Sequence, residues 1–214
     1  MTREAIRAWG RARDSGVQVL PVGKAVAQEI TFPPGHPRDG VLYIGHPAVR
    51  NIYYTMAEFH RVTFEHKFCE AVELLMSLGA TEIRVEHLRG WSKDFSAHLS
   101  VPLGNAEGEA GAEVAASSGS KADILFEASL SGTAEPSVPE KLVWYTHEPT
   151  WQSIAKGRLD FGLNNFLLSI SYDDDFGVNA GLKAMIVKAG LDLGGKFEDH
   201  QLTVWRLKGK FLPR

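Results

Sequence analysis

The strongest constraint on this fold is an alternation of apolar and polar residues that recurs between residues 82 and 131. A period of two is the signature of a strand with one apolar face. Because short turns join the segments, they predict an antiparallel meander of about four strands. The alternating segments are residues 82–86, 95–103, 109–117 and 122–131.

Helical spacing of apolar residues appears on both sides of this region. We predict one long helix from about Tyr53 to Leu78, closed by Gly79, with His66, Glu70, Glu73 and Ser77 on its polar, solvated face. Its apolar stripe contains Phe64, Phe68, Ala71, Val72, Leu75 and Leu78.

Shorter elements complete the predicted fold. A short element is expected near Lys24–Ile30, and Thr150 can cap a helix that ends near Gly162. A further helix ends at Gly190, and one of its faces is formed by Leu182, Met185, Ile186 and Ala189. Strands are predicted at residues 41–44, 166–172 and 201–211. The expected class is therefore α+β, a mostly antiparallel sheet with flanking strands packed against one long helix and two or three shorter helices.

We expect a single domain over residues 1–214, because this length suits one large domain. Residues 104–137 are expected to form a projecting β-hairpin insertion, with a tip at Ser117–Ser120. Either its apolar face covers the core, or it meets a partner or a lipid bilayer, since each arm nearly matches the roughly 9–11 residues of a spanning strand. The lipid- or partner-facing residues would be Ala110, Ala112, Val114, Ala116, Ile124, Phe126, Ala128 and Leu130.

Residues 1–13 predict a short basic helix with an apolar side formed by Ile6 and Trp9. Such a helix either docks on the protein or contacts anionic lipid or an acidic partner. Its basic residues are Arg3, Arg7, Arg11 and Arg13.

Composition excludes several classes. A net charge of −3 argues against a general nucleic-acid binder. The single Cys69 cannot form an internal disulfide, and no apolar leader or long apolar run is visible. We therefore expect a cytoplasmic protein whose membrane contact, if it occurs, is conditional.

Polar residues that could form a site are spread along the chain. His66 and Glu70 are four residues apart on the helix and could share a metal, although a solvated pair on the helix surface is the favoured interpretation. His60 is expected either in the core, bonded to a neighbouring strand, or as a functional base. Asp173, Asp174 and Asp175 could hold a divalent cation, or Asp175 or Asn179 could cap the following helix. His147 and Glu148 could form an acid–base pair.

Short motifs of nucleotide-dependent enzymes, kinases, zinc proteins and serine hydrolases do not occur in the sequence. The leading hypothesis is a non-enzymatic binding or assembly module without a cofactor, which self-associates or binds a protein partner, and whose hairpin 109–131 could make it a membrane-active, pore-forming effector. One rival is a small metal-dependent or His/Asp hydrolase that uses the polar residues above. Another is a partner-binding subunit that uses an exposed sheet edge.

Overall fold

The computed structural model describes residues 3–91 and 123–213, and these form a mostly antiparallel α+β fold, as predicted. The helices are α1 (Arg3–Asp14), α2 (Lys24–Ala27), α3 (Phe59–Ser77), α4 (Pro149–Phe161) and α5 (Ala180–Ala189). The strands are β1 (Tyr43–Gly45), β2 (Tyr53–Thr55), β3 (Ala80–Arg89), β4 (Asp123–Ser129), β5 (Asn165–Tyr172) and β6 (Thr203–Phe211).

The chain divides into two compact units. Unit 1 comprises Met1–Phe64 and Asp174–His200, and unit 2 comprises Glu65–Asp173 and Gln201–Arg214. The single domain expected from the sequence stays a prediction.

Unit 1 surrounds a core formed by β1, β2, the first turn of α3 and α5. β1 and β2 pair antiparallel, and the buried residues Met56, Phe59, Val178 and Ile186 belong to one apolar cluster. Phe59 also meets the ring of Phe176 edge to face, with centroids 6.1 Å apart.

The basic helix α1 packs against the protein through its small residues. Ala8 and Ala12 are its buried residues, whereas Ile6 is 49% exposed. Arg11 Nε donates to the carbonyl oxygen of Ala189 at 2.9 Å, at the end of α5. Helix α1 therefore docks on the protein through these two alanines, which allow it to approach its neighbour more closely than bulky residues would.

Unit 2 is built on a sheet with the strand order β4-β3-β6-β5, and every pair is antiparallel. The C-terminal strand β6 lies between β3 and β5. One sheet face is apolar, and α3 contacts it through Phe68, whose ring centroid lies 5.1 Å from that of Trp205. The predicted apolar stripe of α3 is confirmed, since each of its six residues is buried.

Helix α3 begins at Phe59 rather than near Tyr53, where the sequence placed its start. Tyr53–Thr55 instead forms β2 and pairs with Tyr43–Gly45. Aromatic residues and threonine favour a strand when a partner strand is available, and that long-range pairing is not visible in local periodicity.

The start of β5 is held in place by the buried Arg158 of α4. Its guanidinium donates to the carbonyl oxygens of Leu78, Leu163 and Leu212 at 3.0, 3.1 and 2.6 Å. These three carbonyls follow α3, α4 and β6, so one side chain fixes the ends of three elements. Helix α4 itself begins at Pro149 after Glu148, and Thr150 lies inside the helix instead of capping it.

Candidate functional site

Strand β5 forms one edge of the sheet in unit 2. Among the described residues its only partner strand is β6. Its sequence, Asn-Phe-Leu-Leu-Ser-Ile-Ser-Tyr, contains no charged residue, no proline and no glycine. Natural edge strands normally carry charged residues or proline, which prevent the unpaired backbone groups from recruiting other strands. This edge therefore has the chemistry of a strand-pairing site.

The register shows which backbone groups point outward from β5. Phe211 N donates to the carbonyl oxygen of Asn164 at 2.9 Å, in the same register that pairs Asn165 with Lys210. Hydrogen-bonded pairs alternate along an antiparallel ladder, so residues 166, 168, 170 and 172 bond to β6. The N–H and C=O groups of Asn165, Leu167, Ser169 and Ser171 therefore point away from β6.

Lys67 covers one end of this edge. Its ammonium donates to the carbonyl oxygen of Ser171 at 2.9 Å, pairs with the carboxylate of Glu148 and lies 5.2 Å from the centroid of the Trp144 ring. No other described element hydrogen-bonds the outward groups of the remaining residues. We call Asn165, Leu167 and Ser169 the open edge.

The side chains of the open edge lie on the outer sheet face. Exposed and buried residues alternate strictly along β5, and Leu167 is 60% exposed between the two polar residues. The open edge thus combines unpaired backbone groups with one exposed aliphatic side chain at its centre.

His66 and Glu70 are not the solvated pair that the sequence predicted. Glu70 is 5% exposed, and its carboxylate accepts hydrogen bonds from Val143 N and Tyr145 N, both at 2.8 Å. His66 Nδ1 accepts a hydrogen bond from Trp144 Nε1 at 2.9 Å, and burial lowers the pKa of His66 although Glu70 opposes this. The prediction was wrong because residues 142–148 fold back on this face of α3, so both groups hold a loop.

His60 is a core histidine, as one of the two interpretations expected. It is fully buried, and its Nε2 lies 2.5 Å from the carbonyl oxygen of Val178. The carbonyl accepts, so the neutral ring carries its proton on Nε2. Burial lowers the pKa of His60, and the nearby His200, at 5.2 Å between ring centroids, acts in the same direction. Because Nε2 donates its proton to the Val178 carbonyl, this nitrogen cannot act as a base toward a substrate.

Asp174 and Asp175 stabilise the turn before α5. Asp174 accepts a hydrogen bond from Phe176 N, and Asp175 accepts one from Gly177 N, at 2.7 and 2.8 Å. The backbone bond from Gly177 and the side-chain amide of Asn179 lower the pKa of Asp175. Asn179 caps α5 by accepting from Gly181 N and Leu182 N, which confirms the capping interpretation.

The polar residues of the hydrolase hypothesis therefore serve separate structural tasks. His60, Asp174 and Asp175 belong to unit 1, whereas His66, Glu70, His147 and Asp173 belong to unit 2. His147 and Asp173 are exposed, whereas His66 and Glu70 both bond to residues 143–145. Within residues 3–91 and 123–213, no group of three or more His, Cys, Asp or Glu is arranged to hold a metal ion.

Only the second arm of the predicted hairpin lies in the described part of the chain. There it forms β4, which pairs with β3, and Ala128 is buried. Lipid contact by the buried Ala128 would require β4 to leave the sheet, whereas Ile124 and Leu130 are half-buried. Ala110, Ala112, Val114 and Ala116 lie outside the described residues, so the projecting hairpin and its membrane activity stay predictions. No described helix is long and apolar enough to cross a membrane.

The sequence predicted β5 as a strand but did not place it at an edge. Edge position depends on β6 pairing between β3 and β5, which is a long-range event. The one local signal was the absence of charge, proline and glycine over eight residues. An exposed edge strand normally carries such a residue, so a strand without one is expected to have a partner strand on each side.

Comparison with known proteins adds no assignment: no protein-family model matches the chain, and neither curated proteins nor solved structures give a significant match.

Proposed function

We propose that this protein is a non-enzymatic assembly module that binds a second copy of itself through the open edge of β5. The observation that carries the proposal is an uncharged edge strand whose outward backbone groups at Asn165, Leu167 and Ser169 bond to no other described element. Pairing with an identical strand satisfies these groups and covers Leu167.

The geometry favours one register. A two-fold axis at Leu167 places Leu167 opposite Leu167 of the partner subunit, and Asn165 opposite Ser169 of the partner subunit. Each hydrogen-bonded pair exchanges two bonds, so the ladder contains about six. The two leucines would meet on the outer face, where cross-strand apolar pairs add roughly 0.2–1 kcal/mol each. Such an interface is isologous and closes as a dimer.

A register centred on Leu168 is disfavoured by Lys67. That arrangement would pair Ser171 with Asn165 of the partner subunit and needs the Ser171 carbonyl as an acceptor. Lys67 already occupies this oxygen at 2.9 Å. The lysine therefore selects the shorter ladder and limits further strand addition toward Tyr172.

The rival enzymatic function has less support. The candidate bases and carboxylates His60, His66, Glu70 and Asp175 each bond to backbone or to side chains that organise a loop or a helix end. A catalytic group must reach a proton of the substrate at hydrogen-bond distance, and these groups already hold other partners.

Sedimentation velocity over a range of protein concentrations tests the proposal. We expect a dimer at micromolar concentration, and we expect Ser169→Pro to weaken dimerisation at least about tenfold, because proline removes an outward N–H of the ladder without touching the bonds to β6. Leu167→Lys should act in the same direction through charge repulsion across the two-fold axis.

Ser171→Pro is the matched control. It makes the same substitution on the same side of β5, but Ser171 lies outside the proposed ladder, so the dimer should persist. Far-ultraviolet circular dichroism establishes that both proline variants are folded. A wild-type monomer at the highest concentration, or equal dimerisation of the two proline variants, would refute the proposal.

A further inference from the structure

Residues 3–26 of unit 1 have the opposite charge to the whole protein. They contain five basic residues against Glu4 and Asp14, whereas the chain carries a net charge of −3. Arg3 and Arg7 are exposed on α1. Arg11 bonds to the Ala189 carbonyl oxygen, and the Arg13 guanidinium lies 5.2 Å from the Trp9 ring centroid. Arg3 and Arg7 are therefore the arginines best placed to meet an anionic surface.

The same segment exposes large apolar side chains. Leu20 is 85% exposed, Val22 is 51% and Val26 is 54% exposed, and Ile6 of α1 is 49% exposed. Single exposed apolar residues are normal on a protein surface. Here four of them fall within 21 residues, in the same segment as the arginines.

Two hydrogen bonds fold the chain that follows α1 back along this helix. Val17 N donates to the Ala12 carbonyl at 3.1 Å, and Trp9 Nε1 donates to the Val19 carbonyl at 2.7 Å, so the chain runs back along α1. An extended residue advances about 3.3 Å and a helical residue about 1.5 Å. Residues 20–22, which follow Val19, therefore have the length to reach the first two turns of α1, where Arg3, Ile6 and Arg7 lie.

We propose that α1 and residues 20–26 dock unit 1 on an anionic lipid surface. Lipid headgroups attract Arg3 and Arg7, and the boundary with the acyl chains accepts Ile6, Leu20 and Val22. We favour lipid over an acidic protein because the apolar residues protrude from a convex helix and its adjoining chain, and protruding side chains enter a fluid interface without a shaped partner. This docking does not depend on the dimer proposed for β5.

Co-sedimentation with phosphatidylcholine vesicles, with and without phosphatidylserine, tests this inference on the full-length protein. We expect binding only to the phosphatidylserine vesicles and weaker binding at high salt. Arg3→Glu/Arg7→Glu should weaken it about tenfold or more, because each basic residue contributes about 1 kcal/mol near an anionic membrane. Leu20→Ser/Val22→Ser should also weaken it, by about tenfold, through lost apolar burial.

Lys141→Glu/Lys156→Glu in unit 2 is the charge-matched control, since both lysines are exposed and the net charge changes equally. This variant should bind as the wild type does. Absence of vesicle binding, or an equal loss in the two charge-reversal variants, overturns the proposal. An effect of the arginines without any effect of Leu20 and Val22 also overturns it, because it indicates a purely ionic contact without burial of the apolar side chains. Binding by Ser169→Pro would show that docking does not depend on the dimer.

Discussion

The Lys67 ammonium lies 2.9 Å from the carbonyl oxygen of Ser171, and this bond ends the open edge of β5. The lysine comes from α3, and Glu148 and the Trp144 ring fix its position. A charged side chain at a strand edge is a recognised way of preventing uncontrolled strand addition. In unit 2 it limits the open edge to a length that one antiparallel partner can cover.

Lys67→Met should lower the free energy of unfolding by about 1–3 kcal/mol, because the half-buried Glu148 loses its cation and the Ser171 carbonyl loses its donor. Urea denaturation measures this change. Lys210→Met is the control, since Lys210 is 65% exposed in its pair with Glu82 and should cost at most about 1 kcal/mol. Equal losses in the two variants would contradict the role given to Lys67.

Glu70→Gln should also destabilise the protein, by about 1–3 kcal/mol. The two carboxylate oxygens accept hydrogen bonds from Val143 N and Tyr145 N, one each. The glutamine amide has only one acceptor oxygen, so its NH₂ group would face one of these two donors. Glu73→Gln changes an exposed residue of the same helix and should shift the urea midpoint little. If limited proteolysis cuts residues 142–148 equally fast in both variants, the carboxylate does not hold this loop.

Stability should fall as the pH is lowered below about 6.5, the ordinary pKa of histidine. Burial lowers the pKa of His60 in the folded state, so the unfolded state takes up a proton first as the pH falls. Proton uptake stabilises the unfolded state relative to the folded one. The contribution of neutral His60 is complete above the unfolded pKa and is lost as pH falls through the folded one. His66 acts with the same sign.

His60→Gln should reduce this pH dependence, because glutamine cannot gain a proton yet can donate to the Val178 carbonyl. Urea denaturation at pH 7.5 and 5 would show it. Three other charged or titratable groups interact electrostatically with His60: Asp175, Asp199 and His200. If the free energy of unfolding changes between the two pH values as much in the variant as in the wild type, the effect belongs to these groups.

The sequence predicted those parts of the fold that depend on local periodicity. The apolar stripe Phe64–Leu78 on α3 and the cap Asn179 on α5 follow from spacings of three and four residues and from side-chain chemistry, and the structure confirms both. The start of α3 was wrong because Tyr53–Thr55 responds to a partner strand instead of to its own helical neighbours.

The site was harder to predict because it depends on which segments meet. Local sequence predicts Glu70 on a solvated helix face, whereas in the structure residues 143–145 cover it. The open edge exists only because β6 takes the position between β3 and β5. Neither pairing leaves a periodic signal in the sequence.

Cys69 should react slowly with thiol reagents in the folded protein. Burial, assisted by Glu65 and Glu73, raises the pKa of its thiol to about 11, and only the thiolate is nucleophilic. At pH 8 we expect alkylation about 10²-fold slower than in the denatured chain, whose thiol has a pKa near 8.5. Comparable rates before and after denaturation would show that the thiol is not shielded.

Asn179→Ala should destabilise unit 1 by about 1 kcal/mol, because it removes the acceptor for Gly181 N and Leu182 N at the start of α5. Asn179→Ser keeps a capping oxygen and should retain most of this stability. Amide hydrogen exchange measures the effect locally: the first turn of α5 should exchange faster in the alanine variant and nearly as slowly as the wild type in the serine variant. If both variants exchange equally fast, the link from the Asn179 amide to Asp175, at 3.1 Å, accounts for the stabilisation, since serine cannot reproduce it.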